Sequence, residues 1–117
     1  MAKYEAVLNE LVKVTGIEGA SLVSMDGLPI SSILPPGAEE DKVAAMSAAL
    51  LSLGEKVVEE LKKGKLEQIT IKGDHGYIVI TGIKEDAVLT TLTSEEAKLG
   101  LIYMEIKKAK EKLESIL

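Results

Sequence analysis

The order of periodicities along this chain predicts a three-layer α/β sandwich with the element order α-β-β-α-β-β-β-α. Three observations carry the prediction. Apolar residues recur at helical spacing at the start, in the middle and at the end of the chain. Between these segments lie short alternating or β-branched runs, two in the first gap and three in the second, separated by glycine-containing turns. Every strand connection but one is short enough for antiparallel neighbours. The expected sheet is five-stranded and mostly antiparallel, with one helix on one face and two on the other.

The first helix is read from Tyr4, Val7, Leu8, Leu11 and Val12, with Lys3, Glu5, Asn9, Glu10 and Lys13 between them. That pattern gives one apolar and one charged face. Gly16 is expected to close the helix as a left-handed cap, and Ile17 leads on. The stretch GASLVSMDGLPISSI, Gly19 to Ile33, reads as a hairpin on which the rest is organised. Ala20 to Ser24 runs out, Asp26-Gly27 supplies a tight two-residue turn, and Leu28 to Ile33 runs back. Pro29 has no N–H to give to a ladder, so the returning strand is expected at a sheet edge. Turn chemistry accounts for Asp26 fully. Leu34-Pro35-Pro36-Gly37 is a stiff connector.

The second helix, about Glu39 to Lys63, has two different halves. Val43, Met46, Ser47, Leu50, Gly54, Val57 and Leu61 fall on one side and are expected to face the sheet. The opposite side carries Glu55, Lys56, Glu59, Glu60, Lys62 and Lys63 late, and Ala44, Ala45, Ala48, Ala49 and Ser52 early. No charge occurs from Val43 to Gly54, and a helix that is small or apolar all round is usually covered on more than one side. Ala45, Ala48, Ala49 and Ser52 would let a second helix approach closely, although alanine is also the best helix former and an exposed alanine face can reflect propensity alone.

After Gly64, Leu66 to Lys72 alternates as a half-polar strand with Ile69 and Ile71 on one side. Gly73-Asp74-His75-Gly76 turns the chain. Tyr77 to Ile83 is nearly continuous and β-branched, as expected of a central strand covered on both faces. Ala87 to Thr93 gives the fifth strand, and Thr93 with Glu96 reads as a capping box opening the last helix. That helix carries Leu99, Ile102, Ile106, Ala109, Leu113 and Ile116, a stripe under three heptads long and so assigned to packing on a sheet or on the first helix. Glu95 and Glu96 near its start and Lys107, Lys108, Lys110 and Lys112 near its end suit the helix dipole.

Composition narrows the function. The 117 residues fit one domain, residues 1–117, with one sizeable core. All 14 basic residues are lysine, against 19 acidic residues, for a net charge of -5. A chain with no arginine and an acidic balance is a poor nucleic-acid reader. The absence of cysteine fits a reducing compartment. The charged start MAKYEAVLNELVK and the lack of an 18-residue apolar run point to a cytoplasmic protein with no membrane partner.

No catalytic constellation emerges. His75 is the single histidine and lies in a glycine-flanked turn, without a second histidine or cysteine for a metal site. Ser21, Ser24, Ser31 and Ser32 have no histidine near them in sequence, and GxxxxGK[ST] does not occur. Glu39-Glu40, Glu59-Glu60 and Glu95-Glu96 read as helix-end or surface charges. The expectation is a non-enzyme without cofactor or metal. A profilin-like small-ligand sensor is the alternative, weakened by an aromatic set of only Tyr4, Tyr77 and Tyr103.

The segment IEGASLVSMDGLPISS, the alanine-rich helix after it and the pair KGKLEQITIKGDHGYIVITGI resemble the Roadblock/dynein light chain family over essentially the whole chain. The resemblance implies a homodimer joined through the second helix and third strand into one ten-stranded sheet, which would place Ile69 and Ile71 at the seam beside the alanine face. It further implies a non-enzymatic regulator or scaffold of a small Ras-like GTPase, or a scaffold subunit binding other proteins. Glu55, Lys56 and Glu59 would then flank the seam as partner-binding residues, a solvated helix face being the plainer reading of each.

Overall fold

The computed structural model describes residues 2–117, which form α1 (Ala2–Val12), β1 (Ile17–Ser24), β2 (Pro29–Ile33), α2 (Glu40–Glu60), β3 (Gln68–Gly73), β4 (Gly76–Ile83), β5 (Ala87–Thr93) and α3 (Leu99–Ile116). The strands make one five-stranded sheet in the order β2-β1-β5-β4-β3, with every pairing antiparallel. The two edges are therefore β2 and β3. Pro29 lies on an edge as its missing donor requires, and the β1–β2 register slips beside it, between Leu22 and Val23.

Successive strand residues feed two separate cores, because side chains alternate across a sheet. Leu22, Val79 and Leu89 join Val7, Leu8 and Leu11 of α1 and Ile102, Ile106, Ala109 and Leu113 of α3. Their chain neighbours Val23, Ile80 and Val88 join Ala44 and Leu51 of α2 instead. The stripe read for the last helix is the one buried, from Ile102 to Leu113.

Four local expectations change. The hairpin turn is a three-residue loop: Gly27 N–H donates to Ser24 O (3.0 Å), Ser24 N–H donates to Leu28 O (2.8 Å), and only Gly27 takes a positive φ, +85°. This is a type I turn followed by a left-handed glycine, so Asp26 is spared the strain that a two-residue turn would impose on it. Gly16 is left-handed at φ +96° but stands four residues beyond the end of α1, closing a separate turn into β1. β4 is an inner strand, between β5 and β3, as expected, but it is covered on both faces only from Val79 onward, and Ile78 is exposed. The capping box does not form, because Thr93 ends β5 with its hydroxyl accepting from Tyr77 N–H at 3.1 Å. α3 opens at Leu99 after Lys98, leaving Glu95 and Glu96 in the preceding turn, and its last turn carries no basic side chain.

The largest correction concerns α2, which is rotated from its expected setting. The buried side chains are Ala44, Ser47, Ala48 and Leu51. Met46, Leu53, Val57 and Leu61 are exposed at 58%, 59%, 47% and 67%. Small side chains let the helix sit close to the sheet: a β-carbon on Gly27 would lie 3.5 Å from Ala45 Cα. A polar pin fixes the rotation. Thr90 Oγ1 donates to Ser47 Oγ at 2.6 Å, and that hydroxyl donates to Val43 O at 2.6 Å.

Candidate functional site

The outward side of α2 and the open edge of β3 form one continuous surface. Gly54 turns α2 toward β3, where Ile69 and Leu66 pack on it. At 100° per residue, Leu50, Val57 and Leu61 lie within about 60° of Gly54 and on the same side of it, with Leu53 and Met46 a little further round. The stripe thus follows the shoulder of α2 above β3. Below it the sheet continues with Ile71 and Ile78, register partners that are 36% and 38% exposed.

Large apolar side chains outside and small ones inside reverse the usual amphipathic rule. Spreading over a helix and the adjoining strands, such side chains form a contiguous patch rather than isolated surface residues. The outer backbone of β3 also pairs with no other strand, a second open valence on the same side.

The structure separates the residues expected to make the contact. Ala48 is only 9% exposed and touches the hairpin from beneath, where a β-carbon on Gly27 would lie 3.8 Å from Ala48 Cβ. In the single chain it is packed on the side that α2 turns to the hairpin rather than on the outer surface. Ala45, Ala49 and Ser52 are exposed. They lie on the flank of α2 away from Gly54 by the same 100° geometry. Ile69 is half-buried under α2, and Ile71 stands beside it in the open. Sequence reasoning missed Met46, Val57 and Leu61 as surface residues by assigning them to the sheet, and it gave Leu53 no role. The signal that could have found them is the equally regular series Ala44, Ser47, Ala48 and Leu51.

Glu55, Lys56 and Glu59 are all exposed on the late half of α2. None belongs to an ion pair among the described residues. They lie on the shoulder opposite the apolar stripe. Covering the stripe therefore leaves them accessible. His75 is 95% exposed at the β3–β4 turn, with Nδ1 3.8 Å from Glu95 Oε2. Among the described residues no group of three or more His, Cys, Asp or Glu could hold a metal ion, and no helix is long and apolar enough to cross a membrane.

A profile of the Roadblock/LC7 domain matches residues 3–93. A Methanocaldococcus jannaschii protein, MJ1340, is 38% identical over 112 residues, covering 96% of this chain and 97% of its own. Among solved structures, Myxococcus xanthus MglB superposes with a TM-score of 0.93 at 22% identity, covering 99% of this chain and 95% of that one. A structure of MglB in a tetrameric arrangement superposes at 0.87 with 24% identity, covering 99% and 90%.

Proposed function

Because this chain belongs to the Roadblock/LC7 domain family, we propose that it is a non-enzymatic, dimeric regulator that binds a small Ras-like GTPase. The observation that carries the proposal is the inverted α2, whose large apolar side chains face outward beside the unpaired edge of β3. A second copy applied across β3 satisfies both at once. Antiparallel β3–β3 pairing about a two-fold axis joins two five-stranded sheets into one of ten strands and covers Ile71, Leu53 and Val57. The tetrameric arrangement of a protein of the same fold supports self-association.

The dimer leaves the charged shoulders of both α2 helices open as a platform. Glu55, Lys56 and Glu59 present mixed charge there, suited to steering a partner. Any stimulation of GTP hydrolysis is indirect. The chain has no arginine, so it cannot supply a guanidinium to the transition state and acts by ordering the partner's own switch loops.

The test is a pull-down of the small GTPases of the source genome in both nucleotide states, with single-turnover hydrolysis measured with and without this protein. Binding that prefers one nucleotide state is expected. Charge reversal at Glu55 and Glu59 should slow association and change its salt dependence while the dimer persists. Absence of binding in either state contradicts the GTPase reading and leaves a scaffold for other proteins.

A further inference from the structure

A second feature lies between α3 and the start of β3, reaching round that edge to Val58 of α2, and does not depend on the GTPase reading. Between α3, the ends of β3 and β4 and the segment after α2 runs a groove of about 630 Å³, within the size range of small-ligand sites. Lys63 and Lys65 line it from the segment after α2, and Lys107 and Lys110 from α3; Glu67 is the only carboxylate among its lining residues. Four lysines against one glutamate concentrate positive charge in a chain whose total is -5. None of the four is in an ion pair among the described residues. Ammonium groups gathered in excess of their counter-charge repel one another and raise the local concentration of anions.

The rest of the lining is the apolar Val58, Leu66 and Ile106, the amide of Gln68, and Tyr103, held in place by a 2.8 Å hydrogen bond between its hydroxyl and Thr70 Oγ1. An independent observation concerns Thr81, which also lines the groove. It is 4% exposed, and its hydroxyl has no hydrogen-bond partner among the described residues. Buried hydroxyls are nearly always satisfied.

From these features we infer that the groove binds an organic phosphate, with the phosphate among the four lysines, the carbon body on the apolar lining and, once the side chains that shield it part, a ligand oxygen meeting the Thr81 hydroxyl. Lysine serves phosphate as a mobile point charge, so the site does not need the arginine forks this chain lacks.

Adenosine diphosphate titrated into the isotope-labelled full chain is the free-ligand probe, and flotation with vesicles containing phosphatidylinositol 4-phosphate is the lipid-headgroup probe. Saturable amide shifts at Leu66, Thr81 and Lys107 with the nucleotide support a free ligand; flotation that depends on the same lysines supports a headgroup. The double variant Lys107→Glu/Lys110→Glu should lose about tenfold or more in affinity. Thr81→Val should lose several-fold, whereas Lys3→Glu/Lys13→Glu, remote from the groove, should bind as the wild type does. The inference is overturned if neither probe binds, if the remote variant loses as much as the groove variant, or if Thr81→Val and Lys107→Glu/Lys110→Glu both keep wild-type affinity. None of these results bears on GTPase binding, and sedimentation of the same variants reads the oligomeric state separately.

Discussion

Gly54 of α2 sits so close to Ile69 of β3 that a β-carbon at position 54 would lie 2.7 Å from Ile69 Cδ1. This contact brings the exposed stripe of the helix down beside the sheet edge. The obstructing atom is the far end of a flexible side chain, so Gly54→Ala sets a small rearrangement of Ile69 against a helix-propensity gain of about 1 kcal/mol. The expected unfolding free energy in urea is within about 1 kcal/mol of the wild type. Gly54→Leu cannot be absorbed this way, and should lose about 2 kcal/mol or more as the helix is pushed from the strand.

Gly76 gives the opposite case. It holds a φ of +142°, and a β-carbon there would overlap the carbonyl oxygen of Thr93. Backbone blocks it, in a conformation that L side chains rarely adopt. Gly76→Ala should therefore destabilise by at least about 2 kcal/mol, well beyond Gly54→Ala, when both are measured by urea unfolding.

The Glu10–Lys112 pair ties α1 to α3, with Lys112 Nζ 2.9 Å from each carboxylate oxygen. The Lys112 hydrogen bonds and charge hold the Glu10 carboxyl below its ordinary value of 4.5. A depressed folded-state value means that the contribution to stability is complete above 4.5 and fades as the pH falls through the folded value. Both side chains are at least half exposed, so the effect is small and screened by salt. Lys112→Met should melt slightly below the wild type at neutral pH and low salt. The difference should vanish in molar salt and at strongly acid pH, as differential scanning calorimetry can check.

Much of this was legible in the sequence because local chemistry decided it. Pro29 marked an edge, and the spacing from Ile102 to Leu113 marked a buried face. The setting of α2 was not legible, because two regular stripes compete on it. Period alone favours Met46, Leu50, Val57 and Leu61, while the sheet accepts Ala44, Ala48 and Leu51, with Ser47 on the border of both stripes. Only the close approach of the hairpin at Gly27 and the Thr90–Ser47 hydrogen bond select between them. Thr93 was misread for a related reason: its hydroxyl serves Tyr77 across the sheet, a partner that local spacing cannot reveal. The lysine groove went unseen because its two halves lie about forty residues apart in sequence.

The central claim is that the α2 shoulder and the β3 edge meet a second copy of this chain, and sedimentation equilibrium of the wild type beside Leu53→Glu tests it most directly. Leu53 is 59% exposed, so the substitution leaves the fold of the single chain intact, as far-UV circular dichroism should confirm. At a dimer seam the new carboxylate is buried without a partner, at a cost large enough to dissociate a dimer of micromolar affinity. The account predicts twice the 12.5 kDa chain mass for the wild type and the single-chain mass for Leu53→Glu, both at micromolar concentration. A monomeric wild type, or a Leu53→Glu variant as dimeric as the wild type, would contradict it.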